Sequence, residues 1–274
     1  MWPIYLIFDK FLRAEDEIVD LSNGDHSLVE ASSFFGQPMS IVRSYDGSLP
    51  GSHFVEVPHI SQLYNWDCGL ACVSMVLRTL GIEHCDLHNL GNLCCTTSVW
   101  TVDLAYLLQK FSVSFCFFTI TLGANPNFCV ETFYKEQLPN DLLRVDGLFQ
   151  QALEAGISIQ CRSISGEEIS ILILSGKYIV IALVDQYKMG RSWLEDVCVS
   201  GFYGGDSGYT GHYIVLCGYD ADRDEFEIRD PASHRKSSRI SLQCLDEARK
   251  SFGTDEDLIL ISLEKKDGMD KLCM

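Results

Sequence analysis

Cys68 stands where a nucleophile would be wanted. It follows the polar turn Asn65-Trp66-Asp67 and opens the apolar run Leu70-Ala71-Cys72-Val73-Ser74-Met75-Val76-Leu77. A thiol in the first turn of a helix faces unpaired N–H groups and the positive end of the helix dipole, and both favour thiolate. Gln62, six residues upstream, is close enough to lend an amide donor to an oxyanion beside that sulfur. Much further along, Gly211-His212-Tyr213-Ile214-Val215-Leu216 starts a strand with a histidine, and Asp230-Pro231 ends the next strand. In this set Cys68 would attack an acyl carbon and His212 would act as base and then acid. Asp230 would orient His212, and Gln62 would support the oxyanion. A peptide or isopeptide bond is the natural substrate class.

Each member has a plainer reading. A buried cysteine is usually inert core, which is the role expected of Cys72, one turn deeper in the same helix. His212 alone would be a satisfied strand-edge histidine, and Asp-Pro is a common strand terminator. What lifts Asp230 is the loop Tyr219–Asp224, which reads as a hairpin and would return Asp230 to the His212 end. His84, Cys85, His88, Cys94 and Cys95 have spacings a zinc ion could use, but they lack paired C-x-x-C halves. Gly201-Phe202-Tyr203-Gly204-Gly205-Asp206-Ser207-Gly208 lacks the lysine of a phosphate-binding loop and reads as a flexible loop.

The elements that must position these residues follow from periodicity. The segment His53–Val57 alternates as a strand stopped by Pro58. Beyond the Cys68 helix, Val99–Leu108 is helical in period, Val113–Ile120 a strand, Asp141–Ala155 a helix, Ile157–Cys161 a short strand and Glu167–Leu174 a helix. Strands then gather at Tyr178–Val184, His212–Gly218, Glu225–Arg229 and Leu258–Leu263, with a helix over Leu242–Lys250. Helices first and strands later predict an α+β fold, a helical half packed on an antiparallel sheet half.

Composition narrows the partners. A net charge of −17 argues against a nucleic-acid surface and offers no general attraction for nucleotides. No apolar run reaches the roughly 20 residues of a membrane span, and the apolar start Met1–Phe8 meets Asp9 and Lys10 too early for a signal peptide. Twelve cysteines in a chain of this size then read as free thiols in a reducing cytoplasm. Three regions are expected: a weakly structured N-terminal extension over 1–52, one domain over 53–264, and a polar tail over 265–274 that carries Lys265, Lys266 and Lys271.

The order Gln62, Cys68, His212, Asp230 resembles the papain-type cysteine hydrolases, and Gln62–Val76 is similar to the start of the bacteriocin-processing peptidase domains of ABC exporters. A longer resemblance spans about His53 to Glu264. It is carried by Ser98–Phe111, Gly123-Ala124-Asn125-Pro126-Asn127, Glu225–Ser233 and Ser251–Asp257, which look like the plant guanylyl cyclase 1 family. The peptidase-domain resemblance implies a papain-like fold, and the guanylyl cyclase resemblance implies conversion of GTP to cyclic GMP with Mg²⁺ or Mn²⁺. A thiol hydrolase would need no cofactor, and a catalytically inactive module would keep the cleft to bind a peptide tail or nucleotide. The cyclase motif placed near the N-terminus of that family corresponds to about Ala31 to Ser44. Here it starts with Ala31-Ser32, and Arg43 falls one place early, so the pattern is interrupted.

Overall fold

The computed structural model describes residues 49–83, 85–124, 138–191 and 210–264. The proposed cyclase motif, the glycine-rich loop, His84, most of the extension and the tail after Glu264 lie outside them. In chain order the elements are β1 (Ser52–Phe54), α1 (Cys68–Thr79), α2 (Leu87–Cys94), α3 (Thr101–Lys110), β2 (Phe115–Thr119), α4 (Leu138–Gln151), β3 (Ile159–Cys161) and α5 (Gly166–Leu174). They continue as β4 (Tyr178–Asp185), α6 (Gln186–Arg191), β5 (Gly211–Asp220), β6 (Glu225–Arg229), β7 (Ser238–Ser241), α7 (Leu242–Arg249) and β8 (Leu258–Ser262).

The strands form one sheet in the order β3-β2-β8-β4-β5-β6-β7, with β1 pairing on β5. The fold is α+β, as the pattern predicts. One edge departs from the antiparallel expectation: β2 and β3 pair in parallel. The reason is the connection, since α4 lies between them and a crossover is what returns a chain in the same direction. The central strands β4, β5 and β8 are apolar along nearly their whole length and buried. α1 and α3 pack on the sheet at β5 and β8, while α5 and α7 pack on β5 and β4 from the other face.

α1 is the helix that matters for chemistry. Every residue from Cys68 to Leu77 is buried, so it behaves as a core helix rather than an amphipathic surface one. Gly69 allows it to lie against the sheet. A Cβ there would sit 3.0 Å from both Leu104 Cδ1 and Tyr213 Cδ2, so glycine lets the start of α1 settle onto β5 beside His212. β1 uses the same device: a Cβ on Gly218 would meet Phe54 Cδ1 at 2.2 Å. The expected His53–Val57 strand is shorter than its alternation suggests. After Phe54 one further bond forms, Val55 N–H to Cys217 O at 2.7 Å, and Pro58 then has no N–H to offer.

The hairpin between β5 and β6 carries a bulge. Pairing runs Asp220↔Glu225, Tyr219↔Phe226 and Gly218↔Glu227, then resumes as Leu216↔Ile228 and Val215↔Arg229, so Cys217 is the extra residue. Continuing that register by one residue sets Asp230 opposite Ile214, on the face that His212 shares. Without the bulge Asp230 would oppose Val215 and point to the other face.

Candidate active site

Cys68 begins α1, and Asp67 precedes it as the helix cap residue. Asp67 makes no side-chain cap bond. Its carboxylate turns back to accept the N–H of Leu63 at 3.1 Å and of Tyr64 at 3.0 Å, which pins the turn before the nucleophile. The first N–H groups of α1 are thus not taken up by the Asp67 carboxylate. Cys68 is 6% exposed and His212 is 3% exposed, so both are close to water without being in it.

His212 and Asp230 meet as the register requires: His212 Nε2 lies 2.7 Å from Asp230 Oδ1. Cys68 acts on the same imidazole, and with Nε2 taken by Asp230, Nδ1 is the nitrogen left to serve the sulfur. Burial disfavours the charged ring, but the bonds to Asp230 and Cys68 outweigh it and raise the His212 pKa to about 9. For Asp230 burial pushes upward, yet the His212 bond and charge, the Ala232 N–H and the charge of His59 carry its pKa below the usual carboxylate value. The ring is therefore held in its charged form by Asp230, with Cys68 at the start of α1 on its other side, in the order nucleophile, imidazole, carboxylate. Cys72, buried one turn on, has its pKa raised well above the ordinary value by burial, then by Cys68 and Asp230. It is the structural cysteine of the two.

Gln62 is on this side of the molecule but less directly aimed. Its backbone N–H bonds Pro231 O at 3.0 Å, its Nε2 donates to Tyr64 O at 2.8 Å, and its Oε1 is buried with no hydrogen-bond partner among the described residues. One Nε2 proton is thus committed to the turn, leaving the other for an oxyanion. His59 joins the same corner, its Nε2 2.9 Å from Asp230 O, and Arg229 Nε donates to Val57 O at 2.8 Å. Residues 57–62 are in this way fastened along Arg229, Asp230 and Pro231. Sequence reasoning passed over both His59 and Asp67. Asp67 had a local signal, its place before the helix, whereas His59 meets Asp230 across 171 residues and has none.

Among the described residues no group of three or more His, Cys, Asp or Glu is placed to hold a metal ion, and Cys85, His88, Cys94 and Cys95 form no such cluster. The described cysteines are free thiols. No described helix is long and apolar enough to cross a membrane.

A family model described as "Guanylylate cyclase" matches residues 57–261, which takes in Gln62, Cys68, His212 and Asp230. The chain belongs to that family. Within it, the chain is 59% identical to "Guanylyl cyclase 1" of Arabidopsis thaliana over 267 residues, 96% of this chain and 97% of that protein. Among solved structures it is similar to a C39-like peptidase from Bacillus anthracis, at 15% identity and a TM-score of 0.44, covering 77% of this chain and 96% of that one. Xylellain, a cysteine protease from Xylella fastidiosa, matches at 11% identity and a TM-score of 0.43, over 80% of this chain and 88% of that one.

Proposed function

We propose that this member of the guanylylate cyclase family is a papain-like, cysteine-dependent hydrolase of a peptide or isopeptide bond. The observation that carries the reading is the bond of His212 Nε2 to Asp230 Oδ1 at 2.7 Å, with the buried Cys68 at the start of α1 close enough to raise the pKa of the same imidazole. The Cys68 proton rests on His212 Nδ1. The thiolate bonds to the acyl carbon while the carbonyl pair moves to oxygen, where the N–H groups at the start of α1 and the remaining Gln62 amide proton receive the charge. Collapse breaks the C–N bond, and the leaving amine takes the Nδ1 proton, giving a thioester on Cys68. Water then gives a proton to Nδ1 and attacks the thioester. The second collapse releases the acid and returns sulfur to its paired state.

The test is acetyl transfer from p-nitrophenyl acetate to the full chain. The reading expects a burst of about one equivalent of p-nitrophenolate per chain and an acetyl group on Cys68, both lost in Cys68→Ala and His212→Ala. Release that is the same in wild type and variants would contradict it.

A second reading is favoured by the 59% identity to Guanylyl cyclase 1: conversion of GTP to cyclic GMP and pyrophosphate. Attack by a ribose 3′-hydroxyl calls for charge stabilisation on the phosphates, which Mg²⁺ or Mn²⁺ supplies when bound. The described residues offer no three-ligand acidic cluster for it. Cyclic GMP formation by purified protein with GTP and Mn²⁺ tests this reading in wild type, Cys68→Ala and a chain beginning at Gly51. Product that scales with protein and survives Cys68→Ala would support a cyclase, and product lost only on truncation would assign its centre to the N-terminal residues. No product in any form would remove the cyclase reading.

A further inference from the structure

The residue before the nucleophile, Asp67, also lines a cleft of about 620 Å³ between the turn 63–67 on one side and α2 with residues 95–97 on the other. The cleft therefore begins one residue, about 3.8 Å of chain, from Cys68. Its volume falls in the roughly 300–1,000 Å³ range of small-ligand sites. Three features give it a chemistry. The Tyr64 and Trp66 rings that wall it are stacked, 5.8 Å apart and within 6° of parallel. Leu63 and Tyr64 are 67% and 61% exposed, although the Asp67 carboxylate holds their backbone in place. Large apolar side chains fixed at a cleft and left to water are the usual sign of a binding surface. The charge pattern disfavours a polyanion. Among the described residues no Lys or Arg lines the cleft, His88 being its one basic side chain, and its one carboxylate, Asp67, is engaged by two N–H groups. A triphosphate would find only His88 among the described lining residues to offset its charge, whereas a neutral apolar or aromatic group would lose little on entering.

We propose that this cleft is the specificity subsite of the cysteine centre and takes a neutral aromatic or large apolar side chain of a peptide substrate; the proposal rests on the hydrolase reading above. Gly91 on α2 provides the means to test it. A Cβ there would lie 3.9 Å from Leu70 Cδ1 and 4.0 Å from Trp66 Cη2, ordinary contact distances, so a larger side chain has room to grow into the cleft. Asn92 beside it is exposed.

The experiment alkylates the full chain with chloroacetamide and with its N-(2-phenylethyl) derivative, reading each cysteine by peptide mass spectrometry. The phenylethyl probe is expected to label Cys68 about tenfold faster than chloroacetamide, since burying a phenyl group favours its encounter complex. At exposed Cys161 the two probes should differ little. Gly91→Phe and, as a surface variant that does not strain the core, Asn92→Trp should each bring the Cys68 ratio down toward that of Cys161. A wild-type ratio at Cys68 equal to that at Cys161, or a ratio unmoved in both variants, would overturn the subsite. So would protection of Cys68 from the phenylethyl probe by GTP but not by unreactive N-(2-phenylethyl)acetamide. A chloroacetamide rate at Cys68 that His212→Ala leaves unchanged would instead break the hydrolase reading and take the subsite with it.

Discussion

Two buried polar clusters in this fold have similar ingredients and opposite uses. Between α3 and α4, Arg144 bonds Asp103 and, through Nε at 3.1 Å and Nη2 at 3.0 Å, Asp141. Trp100 N–H closes on Asp103 Oδ2 at 2.8 Å, Trp100 Nε1 on Asp141 Oδ2 at 3.1 Å, and Ser98 also donates to Asp141. Every carboxylate oxygen there has a fixed donor. Burial raises the Asp103 pKa, and Arg144 with the Trp100 N–H works against it, so that cluster is a fastener. At the start of α1 the same burial surrounds Cys68, His212 and Asp230, but in the proposed hydrolase one proton would have two homes, sulfur and ring nitrogen. The contrast teaches that burial and charge do not mark a reactive site. A proton free to move beside a nucleophile does.

His212→Ala should have the largest effect, lowering acetyl transfer to Cys68 by about 10²–10⁴-fold, the usual contribution of a positioned acid–base group, with little change in thermal midpoint when compared above about pH 9, where the wild-type ring has lost the charge that adds stability. Arg144→Ala should do the reverse. It leaves two buried carboxylates facing each other without their cation, and chemical denaturation should show a loss of about 2–4 kcal/mol, reduced from the fully buried case because Arg144 is 31% exposed. Acetyl transfer by the folded variant should stay within about twofold of wild type. Swapped outcomes would break the comparison.

The pH dependence sharpens it. Asp230 and Cys68 hold the His212 pKa at about 9, above the ordinary 6.5. A raised pKa means the charged ring adds stability that is complete below about 6.5 and is lost as pH rises through about 9. Thermal midpoints measured across that window should fall more steeply for wild type than for His212→Gln, while Arg144→Ala keeps the wild-type slope. Equal slopes in wild type and His212→Gln would mean that the ring is not held charged. A smaller effect is expected of Gly69→Ala, whose Cβ would press Leu104 and Tyr213 at 3.0 Å. A shift of a few tenths of an ångström should slow acetyl transfer several-fold, roughly in proportion to the lost alignment.

Cys68, His212 and Asp230 could each be read from the chain because each has a local signature: a polar turn before an apolar helix, a glycine before a strand, and an Asp-Pro stop. The strand Glu225–Arg229 is found with the bounds its alternation gives. What places Asp230 on the His212 face has no such mark, because the bulge at Cys217 shows only in how β5 pairs with β6. β7 escaped because Ser238–Ser241 is four residues long and mostly polar. α2 escaped because Leu-His-Asn-Leu-Gly-Asn-Leu-Cys is poor in helix formers and is held by the Asp86 cap, whose side chain accepts the Asn89 N–H. The Gln62 amide could be assigned to the right corner of the molecule from its spacing. Its bond to Tyr64 O could not, since it depends on the turn that the Asp67 carboxylate folds.

The most direct test of the central claim is a competition for limiting iodoacetamide among the cysteines of the native full chain, read residue by residue in wild type and His212→Ala. Exposure alone would favour Cys95 and Cys161, which are exposed, over buried Cys68. A thiolate paired with His212 reverses that order: Cys68 should label first in wild type and fall behind both in His212→Ala. Labelling that follows exposure in both proteins, with Cys68 slowest throughout, would contradict the account.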